Sequence, residues 1–138
     1  MKGFRQPRSL DVTLPPDFPV ELSLPPGPSP RPRLAFTPYP GARFYQLVAT
    51  QLEKGRVVVW LAIASAAWLG SQTSYQLPDF GAASGFRAEL GLAPGMIDVE
   101  GDAVTSSRGF AESINDDPDT RDGSQLTYAR KADRLASP

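Results

Sequence analysis

Apolar and polar residues alternate with a period of two along much of this chain, and that period predicts strands with one buried face. In SLDVTL and PVELSL the apolar positions are Leu10, Val12 and Leu14, then Val20, Leu22 and Leu24. RLAFTP leads through Pro38, Pro40 and Gly41 into FYQLVATQL, and Glu53-Lys54-Gly55 joins that run to RVVVWLAIAS, the pattern of a β-hairpin. TSYQL, FRAELGL, MIDVEG and QLTYARKA supply further short runs divided by Gly and Pro. Leu126, Ala129, Ala132 and Leu135 also fall at helical spacing behind Ser124 as an N-cap, so the last segment has two readings, of which the strand is expected.

The densest apolar stretch, GRVVVWLAIASAAWLG, poses a choice between a bilayer span and a buried strand. No charge falls between Arg56 and Asp79, and the 22 residues 57–78 are long enough to span as a helix, with Lys54 and Arg56 setting the amino end inside. The dense part, however, is only the fourteen residues Val57 to Gly70, the size of a core element. Val57, Val58, Val59, Trp60 and Ile63 are β-branched or aromatic, which suits a strand that turns between Ser65 and Leu69. On such a strand Val57, Val59, Leu61 and Ile63 share one face and Val58, Trp60, Ala62 and Ala64 the other. Both faces are apolar, so the second is expected to meet the chain's own arm or another protein.

Composition narrows the chemistry. The 138 residues contain no Cys and no His, which removes disulfides, thiolate nucleophiles, Cys/His metal sites and every Ser-His arrangement. Net charge is −1, so the whole chain is not a general binder of nucleic acid or anionic lipid. The charge is nevertheless polar along the chain, net +4 over residues 1–56 and −4 over 96–138, which favours head-to-tail contact between copies. Eleven of the fifteen prolines lie in the first 40 residues and rule out helix there. The expected organisation is an extended proline-rich N-terminal arm, 1–32, and a β-sandwich domain, 33–138. MKGFRQPRSL lacks the apolar run of an ordinary export signal.

Phe36-Thr37-Pro38, Pro40-Gly41-Ala42, Tyr45-Gln46-Leu47-Val48, Val59-Trp60 and Tyr75-Gln76-Leu77-Pro78 together resemble the fibronectin type III-like modules of bacterial surface proteins. The resemblance covers residues 33–80 and implies an all-β, immunoglobulin/fibronectin III-like sandwich. Phe36 stands where such modules often carry Trp. These modules serve as spacers, adhesion units and assembly units, and no catalytic residue carries over.

Several clusters invite a chemical role. Asp98, Glu100 and Asp102 alternate in MIDVEGD and would share one strand face, where hard cations find carboxylate oxygens, although a wet strand face has the same pattern. Asp117, Asp119 and Asp122, with Asn115, Asp116 and Gly123, partly resemble a calcium loop but lack its sixth-position Gly and closing Glu. Calcium is the only cofactor these residues suggest, and a solvated turn is the competing reading. Glu89 with Glu100 or Asp102 are the only carboxylate pairs to consider for glycoside hydrolysis. Arg31 and Arg33 beside Tyr39 are too short a basic group to indicate nucleic acid. Pro25-Pro26-Gly27-Pro28 before Arg31 has the form of a proline-recognition ligand and equally of a spacer.

The expected function is therefore non-enzymatic: a structural protein of a surface filament, envelope layer or virion, extracellular in location. It would be a homo-oligomer, or would bind a neighbouring structural protein, by strand addition of Leu10, Val12, Leu14, Val20, Leu22 and Leu24 and through the sheet face of Val58, Trp60 and Ala62. The alternatives are a membrane-anchored subunit spanning at 57–78 and a monomeric glycan-binding module using Tyr39, Trp68 or Phe80.

Overall fold

A computed structural model describes residues 16–115 and 126–137. The chain is all-β, with two antiparallel sheets and little helix. β1 (Val20–Ser23), β2 (Arg33–Phe36) and β5 (Ser74–Gln76) form one sheet in the order β1-β2-β5. β3 (Ala42–Glu53), β4 (Arg56–Ser65), β6 (Gly95–Ser106) and β7 (Leu126–Ser137) form the other in the order β4-β3-β6-β7. Two short helices, α1 (Ala66–Leu69) and α2 (Phe110–Asn115), sit in the connections.

The β3–β4 hairpin follows from its turn. Glu53 pairs with Arg56 across Lys54-Gly55, and both turn residues have positive φ (49° and 77°), the twist that two-residue hairpins need. The register then places Tyr45, Leu47, Ala49 and Gln51 on the same face as Ala64, Ala62, Trp60 and Val58. That face is the inner one. It continues on β6 as Ile97, Val99, Gly101 and Ala103, which are all buried.

The smaller sheet packs on this face. A Cβ at Gly101 would come within 2.5 Å of Leu34 Cδ1 and 3.1 Å of Leu22 Cδ2, so the two layers approach where a glycine lets them. At one pole Phe18, Phe36, Tyr39 and Tyr45 form an aromatic cluster, with Phe36 and Tyr45 stacked at 4.3 Å. The Tyr39 N–H donates to Tyr45 Oη, and the Tyr39 hydroxyl donates to the Pro16 carbonyl. At the other pole the short strands of the smaller sheet run out. The connection 77–94 roofs the remaining surface, and the Gln51 amide exchanges two 2.8 Å hydrogen bonds with the Ala93 backbone to hold it.

Three readings change, and the expected strand at the end of the chain is kept. The boundary after residue 32 is too late, because Phe18 and Leu22 are core residues and β1 pairs with β2 of the same chain. Leu24 packs against that core as well. FRAELGL is not a strand: Ala88–Leu90 is a 3-10 turn, and Phe86 leaves the sheet to pack on Trp60. Residues 57–78 are not a spanning helix, since they hold most of β4, then the single turn α1 capped by the Ser65 hydroxyl, then β5. Among the described residues no helix is long and apolar enough to cross a membrane. The last segment is a strand throughout, with β7 paired to β6 from Leu126 to Ser137.

Candidate functional site

Because side chains alternate along a strand, the inner face of the larger sheet fixes the outer one. The outer row of β4 is Val57, Val59, Leu61 and Ile63, opposite Leu52, Thr50, Val48 and Gln46 of β3. Farther across, the same face carries Asp98, Glu100, Asp102 and Val104 of β6 opposite Arg134, Ala132, Arg130 and Tyr128 of β7. One continuous surface thus has two halves of different chemistry.

The β6–β7 half is satisfied internally. Arg130 donates to both oxygens of Asp102, from Nε at 2.7 Å and Nη2 at 3.2 Å, and Nη2 also lies 3.1 Å from Glu100. Asp102 has no exposed surface, so this charge is buried only because a guanidinium covers it. Arg134 holds Asp98 through Nε and Nη2 in the open. The hydrogen bond from Arg134 lowers the Asp98 carboxyl below its usual value, and each arginine is raised chiefly by the same bond to its carboxylate. Of the two readings of Asp98, Glu100 and Asp102, a cation site and an ordinary strand face, the first would need carboxylate oxygens that the arginines of the facing strand already hold. Among the described residues, no three His, Cys, Asp or Glu side chains are grouped to hold a metal. Asp117, Asp119 and Asp122 lie outside the described residues. Glu89 stands on the 3-10 turn and pairs with Arg87, while Glu100 faces β7, so structure and chemistry separate the carboxylates considered for hydrolysis.

The β4 half has no such closure. Leu52, Val57, Val59 and Leu61 are neighbours on it and are between 55 and 72 % exposed. α2 covers the far end of the face, where Phe110 meets Phe44 edge-on at 5.7 Å. Beyond β4 the sheet ends, and among the described residues no backbone hydrogen bond joins its free edge to another element.

Of the β4 residues expected at an interface, none belongs to the exposed row. Val58 is buried, and Trp60 and Ala62 are half-buried against the core, so the outward row is Val57, Val59 and Leu61. The missed signal was in β3: Gln46 and Thr50 mark its wet face, and a two-residue turn pairing Glu53 with Arg56 transfers that face to Val57 and Val59. In the arm, Val20, Leu22 and Leu24 pack within their own chain, while Leu10, Val12 and Leu14 lie outside the described residues.

A second feature lies under the inner side of β4. Trp60 stacks on Phe80 at 4.6 Å and lies near Phe86, and its indole N–H donates to the Leu90 carbonyl at 2.9 Å. With Pro30, Arg31 and Asp79 these rings border a cavity of about 300 Å³. Of the aromatic trio considered for a glycan, Phe80 lines this cavity, Tyr39 is buried in the core, and Trp68 is exposed on α1 against Tyr75. The three residues do not meet at one site. Comparison with protein-family models, with curated proteins and with solved structures finds no match for this chain.

Proposed function

We propose that the chain is a non-enzymatic, fibronectin type III-like assembly module that associates with further copies of itself through the β4 half of the larger sheet. The strand order β1-β2-β5 facing β4-β3-β6-β7 supports the fold reading, being the Greek-key arrangement that the resemblance implies. The association reading is carried by the exposed row Val57, Val59 and Leu61 on edge strand β4, which has no charge after Arg56, with Leu52 of β3 exposed beside it. Proteins normally blunt an edge of this length with charge, proline or a cover, and contiguous exposed apolar surface marks an interaction site. A surface filament, envelope layer or virion is the setting such a module fits. Val20, Leu22 and Leu24 of the arm are occupied in their own chain, and Leu10, Val12 and Leu14 lie outside the described residues.

Light scattering on chromatographed protein without detergent tests the association. Species heavier than one chain support it, and replacing Leu61 by Lys should return them to monomer. The cavity beside Trp60 and Phe80 favours a second reading, a small-ligand module, which a glycan array without hits would set aside.

A further inference from the structure

Resting on the assembly reading, a more specific contact can be derived from β4: we infer that two copies pair β4 to β4 about a two-fold axis, joining their larger sheets edge to edge. The free edge supplies the hydrogen bonds. A two-residue turn makes Glu53 and Arg56 a hydrogen-bonded pair, and such pairs alternate, so Val57, Val59, Leu61 and Ile63 direct their N–H and C=O away from β3. All four are on the strand's outward edge, and a second strand that presents the same four residues can satisfy them.

Side-chain size sets the register. The inner side of β4 is bulky at its start, where Phe86, Glu89 and Leu90 crowd beside residues 56–60, and small at its end, where Ala62 and Ala64 stand. Antiparallel pairing of Val59 with Leu61 of the second copy, and of Val57 with its Ile63, lays each crowded end against the other copy's alanines. Trp60 then falls on the axis. Arg56 comes opposite Ala64 of the second copy, so no like charges meet, and the two outer apolar rows merge into one. The other described edges fit less well. β7 carries Arg130, Lys131, Asp133 and Arg134, while β1 and β5 are only four and three residues long.

Three variants separate edge pairing from docking by the outer face. Val59→Pro removes an outward N–H, which an edge strand tolerates, and should weaken the dimer by about tenfold or more while the melting curve stays cooperative. Leu52→Lys places a charge on the outer face of β3, one strand in from the edge, and should leave the dimer intact. In a cysteine-free background, mixed Val59→Cys and Leu61→Cys chains should oxidise to a disulfide dimer, since directly opposed residues have Cα atoms about 5.5 Å apart. Val59→Cys chains alone should not. If Leu52→Lys gives monomer and Val59→Pro keeps the dimer, or if the mixed cysteines never bridge, the edge-to-edge contact is overturned and the broader assembly reading stands. Native protein that is monomeric at every concentration overturns both.

Discussion

The two ends of the larger sheet have the same architecture and opposite chemistry. β7 and β4 are both edge strands, of twelve and ten residues, and both present an outer row to solvent. On β7 that row is Tyr128, Arg130, Ala132 and Arg134, and the arginines turn inward to the carboxylates of β6. On β4 it is Val57, Val59, Leu61 and Ile63, facing Leu52 and Val48. Charge on a strand is the common protection of a sheet edge, and β4 lacks it, which is why the proposed association is assigned to that end. The half of the face whose alternating carboxylates invited a cation reading has them paired with arginines. The half read as a core or membrane element is the one left open.

The sharpest way to break the comparison is to treat its two sides of one hairpin alike. Leu47 and Leu61 are the same residue on neighbouring strands, the first buried and the second exposed. Leu47→Ala should destabilise the monomer by about 3 kcal/mol through lost burial and a cavity, whereas Leu61→Ala should change it by less than about 0.5 kcal/mol. Denaturant unfolding in dilute protein measures both. Equal losses would mean that the outer row is packed after all.

Next in size is the covered charge. Arg130→Ala leaves the Asp102 carboxylate buried without its partner, and a loss of roughly 2–3 kcal/mol is expected, at the low end for a buried pair because Arg130 is half exposed. Replacing both residues by Met and Leu should recover most of that loss, which distinguishes a stranded charge from lost packing.

The smallest effect concerns the open pair. Asp98 is held below its usual carboxyl value by Arg134, so the pair's stabilisation is present above about pH 4 and fades as pH falls through the lowered value. The melting temperatures of native protein and Arg134→Ala should therefore differ slightly at neutral pH and converge in acid. A difference that grew in acid would contradict this assignment.

Much of the fold was legible because alternation is a strong signal where one face is buried. The hairpin, the β6 run and the strand at Leu126–Ser137 all followed from it. β1 was legible as a strand but not as part of the domain, since proline density suggested an arm while Phe18 and Leu22 decided the packing. FRAELGL failed for a related reason: its apolar residues serve Trp60 from a loop, and a spacing rule cannot tell a strand from a short roof. The candidate site was half legible. Two apolar faces on 56–65 pointed to a partner, but which face was free depended on β3, a neighbour the strand's own pattern does not reveal.

The central claim is that the β4 half of the outer face binds another copy of this chain. Sedimentation equilibrium on native protein and on the Val59→Lys, Leu61→Lys double variant, over a wide concentration range without detergent, tests it most directly. The account predicts a dimer or larger species for the native chain and a folded monomer for the variant. Identical monomers across that range would contradict it.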